Sequence, residues 1–462
     1  MSVAAYVRSL NPGLPRSVQT LQLGGLLNAF GNGLAYPYLF IYLHNVRGIP
    51  LGMTGLIVAT NSTVGLIAGP VAGPLVDRFG GRRMLAAALG LMTLGYGSYP
   101  FVHHPWQGFL ASAVAGAGNA SFWPAQSSLI AGLTPPERRH SAFAMQRIMM
   151  NLGIGLGAMS GGFVAVTSRP HTFTILFLGD ALTFVLYAGV LLFVPDPPRA
   201  AGGDADRPSG GYAAVLRHRV FLGVLALNFV LIAAGLSQFE VFPAYAKNHA
   251  GVSERGIGWI FLANTLLIVL AQLPVARLLE GRRRMVSQAL VGCVWAASWI
   301  TVPIIGNSLD GVAATAAFAA VFGFFGIGEC LHGAVQAPLV TDLADHRLIG
   351  RYMAASAFSW QIAFSAGPAF AGYLLAVSPT ALWLLAATVC LGASVAALGL
   401  ERALPAEAVR TPGGQGGGAR MPNSAMRLDD PLSTGAQPAP HQAHTPARPA
   451  RRGRRSRGAA RR

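Results

Sequence analysis

Three carboxyl side chains stand inside long apolar stretches of this 462-residue sequence: Asp180, Glu240 and Glu329. A bare carboxylate in hydrocarbon costs about 2.5–3.5 kcal/mol on insertion scales, so such groups are expected to face a wet interior. Burial favours the protonated carboxyl, which suits a group that must load and release a proton. Glu329 shares a helical face with His332 and Gln336, at i+3 and i+7, and is the strongest of the three. The competing use is an interhelical hydrogen bond, worth under about 2 kcal/mol, and for Asp180 that structural use is the expectation. Neither the acids nor the histidines have metal-ligand or nucleophile spacing, and no phosphate-binding GxxxxGK[ST] loop is present. No enzyme, metal centre or cofactor is therefore expected. The cysteines Cys293, Cys330 and Cys390 lie in apolar runs, without CxxC or Cys/His spacing.

The elements that must position these groups follow from composition. Hydrophobic residues make up 53% of the chain, charged residues 11%, and the mean hydropathy is +0.48. Soluble domains carry about 25% charged residues, so lipid must replace most of the aqueous surface. Twelve apolar segments can be drawn: 18–43, 51–74, 83–101, 107–133, 141–166, 172–195, 218–246, 254–279, 285–305, 311–340, 350–376 and 380–400. The expected fold is all-α and integral to the membrane, with twelve transmembrane helices in two pseudo-symmetric six-helix halves. The expected divisions are an N-terminal segment 1–17, halves at 18–195 and 218–401, a linker 196–217 and a tail 402–462. The stretch around Arg8 and Arg16 reads as the lead into a retained first helix rather than a cleaved signal.

Arginine placement gives an orientation. With a cytoplasmic N-terminus, the outer loops hold only Arg47, Arg169, Lys247 and Arg255, and the remaining basic residues up to 401 fall at cytoplasmic ends. The positive-inside rule then puts both termini in the cytoplasm, in a plasma-membrane protein. The formal net charge is +17, concentrated in 402–462, a Pro/Gly/Ala/Ser-rich stretch that ends RPARRGRRSRGAARR. Such a tail buries little apolar surface and is expected to be disordered. Its nearest partner is the anionic lipid headgroup, at about 1 kcal/mol per basic residue; no nucleic acid is expected.

An internal repeat supports the division into halves. Tyr42, Gly48, Gly55 and Asn61 match Tyr245, Gly251, Gly258 and Asn264 at one common offset. Gly80, Arg82, Arg83 and Met84 match Gly281, Arg283, Arg284 and Met285 at a nearly equal one. Gly116, Gly118 and Gln126 likewise match Gly326, Gly328 and Gln336, which makes Asn119 the repeat mate of Glu329. Two parallel halves around a shared site is an alternating-access plan.

The turn between the second and third segments reads Gly73-Pro-Leu-Val-Asp77-Arg78-Phe-Gly80-Gly-Arg82-Arg-Met-Leu85. It closely resembles the major facilitator superfamily signature G-x-L-a-D-r-x-G-r-k-x-x-l. Gly73 and Gly80 would allow close helix approach and a tight turn, and the resemblance implies a cytoplasmic gate, latched in the outward-open state by Asp77 with Arg78 and Arg82. Gly81 departs from the usual basic residue, and in the second half Leu278 occupies the position of Asp77. The fifth segment, with Gly153, Gly155, Gly157, Ala158, Gly161 and Gly162, is similar to the family's antiporter motif g-x-x-x-G-P-x-x-G-G, with alanine for proline. The resemblance implies export, while plain glycine packing remains the alternative. Ser112 stands where proton-linked members often carry an arginine. Arg147, one turn before Asn151, either replaces that charge or snorkels to the interface.

Because segments 1, 4, 7 and 10 line the cavity in this superfamily, the resemblance implies cavity positions for Asn28 and Asn32, for Asn119, Trp123 and Gln126, for Gln238 with Glu240, and for His332 and Gln336 beside Glu329. Trp123 suits a lipophilic cation, and suits neutral molecules or packing as well. The whole reads as a monomeric secondary transporter, exporting amphiphilic drugs or related small molecules against protons. Transport of an endogenous metabolite or sugar, symport, and a non-transporting membrane sensor or scaffold remain open alternatives.

Overall fold

The computed structural model describes residues 13–135, 138–196, 212–344 and 348–411. Long helices dominate: α1 Arg16–Ile41, α2 Leu51–Phe79, α3 Gly81–Ser98, α4 Pro105–Leu133, α5 Arg139–Val164 and α6 His171–Val190. They continue as α7 Arg219–Ala234, α8 Glu254–Leu278, α9 Arg284–Ser308, α10 Gly311–Leu343, α11 Ile349–Val377 and α12 Pro379–Leu400. Their starts are encoded locally. Pro105 and Pro379 occupy first-turn positions where a missing N–H costs nothing. The Ser253 hydroxyl accepts the Gly256 amide at 3.1 Å to cap α8. Gly80, at φ +89°, separates α2 from α3, and its repeat mate Gly281 adopts +71°.

Among the described residues, eight helices are long and apolar enough to cross a membrane: α2 and α6 to α12, with α7 extended to Glu240. The other four depart for visible reasons. The α3 helix has 18 residues and begins Gly81-Arg82-Arg83, so its one full-length stretch includes both arginines, and α1, α4 and α5 carry the Asn, Gln and Arg side chains of the polar interior. Exposed apolar faces, such as Leu178, Leu182 and Val185 on α6 or Leu384, Leu391 and Val395 on α12, are what lipid contact requires.

The seventh segment, expected as one helix over 218–246, is broken. After Ala234 the chain turns through Gly235, forms a tight turn over Leu236–Glu240, and resumes as the helix Phe242–Ala250. A side chain at Gly235 would collide with the Trp295 indole on α9, so the backbone passes there only as glycine. The Gln238 amide and Ser237 hydroxyl donate to the Ala233 carbonyl at 2.7 and 2.8 Å, replacing what the break removes. Two boundaries also move. Tyr212–Arg217 of the expected linker is helical, and 402–411 of the expected tail folds back on the α8–α9 turn. The rest of the linker and tail lies outside the described residues.

Helix packing recurs along the chain. Helix α1 packs on α5 and α6, α2 on α4, and α3 on α4 and α6; correspondingly α7 packs on α11 and α12, α8 on α10, and α9 on α10 and α12. The two sets meet where α2 packs on α11 and α5 on α8. These cross-contacts gather at the end of the bundle that carries Arg47 and Lys247. Here Gly55 of α2 lies against the Pro368 carbonyl and Gly372 of α11, and Gly162 of α5 against the Glu254 carbonyl of α8. Further along α2, side chains added at Gly69 and Gly73 would meet open space. The glycine contacts close the bundle at the Arg47 end.

Candidate functional site

On α10, Glu329 is half-buried, and its Oε1 accepts the Asn264 side-chain amide of α8 at 2.9 Å. Asn264 also donates to the Phe322 carbonyl at 3.1 Å, which fixes its orientation. The first repeat builds the same clasp: Asn119 of α4 donates to Asn61 of α2 and to the Tyr96 hydroxyl, each at 3.1 Å. Gly116 and Gly326 bring the helices close enough, since a side chain at either would press on the facing asparagine residue. The two clasps join equivalent positions, but the second has a carboxylate where the first has the Asn119 amide, so the donor changes sides to Asn264.

The expected stripe Glu329–His332–Gln336 is divided between neighbours. While Glu329 faces α8, buried His332 meets Gln288 of α9 at 3.1 Å, and Gln288 donates to Gln336 at 2.9 Å. The His332 ring lies between Trp295 and Trp360. Arg147 reaches across from α5. Its guanidinium occupies the space a side chain at Gly333 would fill, and its charge lies within electrostatic reach of Glu329 and His332. Among the described residues Arg147 makes no hydrogen bond or ion pair, and it is exposed.

Glu240 lies at the break in the seventh segment, where the Tyr36 hydroxyl of α1 donates to its Oε1 at 2.5 Å. The other carboxyl oxygen is buried without a partner. Sequence reasoning missed Tyr36, although Asn28, Asn32 and Tyr36 continue one face of α1 at i, i+4 and i+8. Gln238, expected in the cavity, is buried and spent on the helix break.

Asn28, Asn32, Trp123 and Gln126 do come together, with Gln22 and Gln146, around a pocket of about 70 Å³ between α1, α4 and α5. Trp123 is 48% exposed there. Gln126 bridges Gln146 of α5 and the Tyr187 hydroxyl of α6. A larger hollow of about 560 Å³ lies between α7 and α12, lined by apolar residues such as Leu227, Val230 and Val389, and includes none of the expected site residues. Asp180 is fully buried on α6 against Gly31 of α1. Among the described residues neither carboxyl oxygen has a partner, so the expected interhelical hydrogen bond is not made there. The α1 backbone at Gly31 comes too close to offer a side chain.

The glycines of α5 form two faces. Side chains at Gly153, Gly157 and Gly161 would strike the α1 backbone at Leu26, Phe30 and Leu34, while Gly155 and Gly162 face Thr265 and Glu254 of α8. Ala158, in the place of a proline, is buried, and its carbonyl accepts the Tyr38 hydroxyl. Asn151 is half-buried on the same helix. At the α2–α3 turn, Gly80 makes the expected turn, but Gly73 faces open space and allows no close approach. The close approach occurs at Gly81, whose added side chain would meet the Ala125 carbonyl and Leu129 of α4. Arg78 rests over the Phe79 ring and Arg82 stands on the first turn of α3. The Asp77 side chain lies outside the described residues.

Two clusters escaped sequence reading. At the closed end, the Glu254 carboxylate accepts from the Thr167 amide at 2.8 Å, from the Thr167 hydroxyl and from Lys247 at 2.9 Å. Beside it Asn45 and Asn248, which share the offset of the first repeat block, join at 2.7 Å. At the other end, the basic run of the second repeat, which lost its aspartate to Leu278, is neutralised from elsewhere. Arg283 pairs with Glu401 and fully buried Arg284 with Asp342, while Arg410 and Thr411 donate to the carbonyls of Gly281, Leu279 and Arg282.

The sequence signature of the Major Facilitator Superfamily matches residues 21–243 and again residues 229–458. The chain belongs to the Major Facilitator Superfamily. It is accordingly a multi-pass membrane transporter, not an enzyme. Among curated relatives in the superfamily, it is 24% identical to the uncharacterized MFS-type transporter YqjV of Bacillus subtilis over 74% of this chain and 82% of that protein. It is 25% identical to the multidrug resistance protein MdtH of Cronobacter sakazakii, over 77% and 85%. Solved transporter structures share the fold. A mutant of the peptide transporter POT in complex with sulfate gives a TM-score of 0.70 at 15% identity, over 84% of this chain and 95% of that one. The D-xylose-proton symporter gives 0.67 at 15%, over 85% and 98%.

Proposed function

We propose that this chain is a secondary active exporter of amphiphilic small molecules, driven by protons and working by alternating access between two six-helix halves, with twelve spans in all. The four helices too polar for a simple span would cross as interior elements shielded by their neighbours. With the arginine-based orientation, the closed end is the outer one, and the structure is the inward-open state of a plasma-membrane protein with both termini in the cytoplasm.

The observation that carries the reading is the Asn264–Glu329 clasp. It places a carboxyl at the one point where the repeat otherwise keeps an amide, on a helix that also meets Arg147 from the other half. Protonation of Glu329 would remove its charge and release a bound substrate; Glu240, tied to Tyr36 across the halves, would share the load. The similarity to MdtH supports drug export as the direction and cargo class.

The test is proton movement in everted membrane vesicles challenged with lipophilic cations and neutral drugs. Substrate-triggered proton release that disappears in Glu329→Gln is the expected result. Silence toward every compound would overturn drug export and bring metabolite transport forward.

A further inference from the structure

Arg147 and Glu329 face the same interhelical space from opposite sets of helices, and no ion pair joins them. Glu329 is held back on α8 by Asn264, which engages one oxygen, and among the described residues the other oxygen has no hydrogen-bond partner. Arg147 is held against α10 at Gly333, one helical turn from Glu329, with its guanidinium unbonded. Gly333 is what makes this possible: an added Cβ would lie 2.5 Å from the guanidinium Nη2. Charged groups that face the interior of a membrane bundle mark substrate or ion pathways, and among the described residues Arg147 has no fixed counter-ion. Cys330 and His332 also lie within electrostatic reach of Arg147, and neither offers it a carboxylate.

We propose that this space binds a small amphiphilic zwitterion, its anionic group on Arg147 and its cationic group on Glu329. The inference rests on the export reading above and narrows its substrate class. A cation alone would satisfy Glu329 but be repelled by Arg147, and an anion alone would meet the reverse; a zwitterion satisfies both. It also preserves exchange with protons, because protonating Glu329 removes the partner of the cationic group. A purely anionic cargo would instead bind best with Glu329 protonated, which is the sign of symport.

The experiment measures binding of three matched fluorescent probes to the purified full-length protein at fixed pH: Nε-dansyl-lysine, its methyl ester and its Nα-acetyl derivative. They present a zwitterion, a cation and an anion on one apolar body. Wild type should bind the zwitterion at least tenfold more tightly than either. Arg147→Gln should bring the zwitterion down to the level of the ester and leave the ester unweakened, and Arg147→Lys should restore part of the preference. Gly333→Leu, which displaces the guanidinium without removing it, should act as Arg147→Gln does, so the test survives a variant that fails to fold. An unchanged zwitterion-to-ester ratio in both variants overturns the proposal, and so does wild type that binds none of the three. If the ratio behaves as expected but vesicles release no protons, the zwitterion site stands and proton-driven export falls. Proton release with lipophilic cations, but no zwitterion preference, has the opposite meaning.

Discussion

Asn264 holds Glu329 at 2.9 Å in the same place where Asn61 meets Asn119 at 3.1 Å. Two copies of one interhelical clasp therefore exist, and only the second can change charge. Replacing Asn264 with leucine leaves the carboxyl without its donor, at a cost of about 1–3 kcal/mol if the group cannot find water. The same change at Asn61 strands only neutral groups and should cost about 0.5–1.5 kcal/mol. Thermal unfolding followed by fluorescence size exclusion should rank Asn264→Leu below Asn61→Leu; equal losses would show that the charge difference is idle.

The two faces of α5 should respond differently to added bulk. Gly157→Val drives a side chain into the Phe30 carbonyl within one set of helices and should lower the yield of folded protein. Gly155→Val meets Thr265 of α8 instead, so it should fold and weaken closure. Disulfide formation between Asn45→Cys and Asn248→Cys, which replaces a 2.7 Å contact, reports that closure. We expect Gly155→Val to reduce its yield to less than half in an otherwise cysteine-free background.

Glu254 gathers Thr167 and Lys247 at the closed end, with its own side chain 12% exposed and that of Lys247 19%. Glu254→Gln removes the ion pair and weakens the acceptor. Because both groups keep some solvent, we expect about 1 kcal/mol, below the range for buried charged hydrogen bonds and at the upper end for exposed ion pairs. That is roughly a fivefold shift toward opening, read as slower disulfide formation between Asn45→Cys and Asn248→Cys. An unchanged rate would mean that glycine packing alone keeps this end shut.

Truncation should separate the strap from the tail. A chain ending after residue 414 retains Glu401, Arg410 and Thr411 and should keep its folded yield and flux. A chain ending at Leu400 loses the partner of Arg283 and the cover of the α8–α9 turn, and its yield should fall severalfold. Lost function in the first truncation, with folding intact, would favour a sensor whose basic tail is the active part.

Helix positions were legible because apolar length is a local property, and the repeat was legible because Gly48/Gly251 and Gly80/Gly281 need the same left-handed backbone in both copies. The carboxyls announced themselves by being expensive where they stand. What stayed hidden depends on who lies opposite. Gly235 sits in an apolar run like any helical glycine, and the Trp295 indole across from it, which leaves no room for a side chain at the break, is visible only in the fold. Glu401 looked like the last charge before a tail, and its use became visible only once Arg283 was placed beside it. Tyr36 gave a fair local signal, continuing the Asn28–Asn32 face. Asp180 gave a misleading one, since the neighbour expected to bond it is a bare glycine backbone.

The strap formed by Glu401 and Thr411 also bears on how the protein is made. The strap is synthesised after the last long helix, so Arg283 and the open carbonyls of the α8–α9 turn must wait for Glu401 and Thr411 to emerge. Insertion of the last helices and completion of this turn thus become a single late event in biosynthesis. Nascent chains stalled just short of Thr411 should be the species that membrane quality-control proteases recognise, and a reporter or affinity tag belongs after that residue rather than at the end of α12.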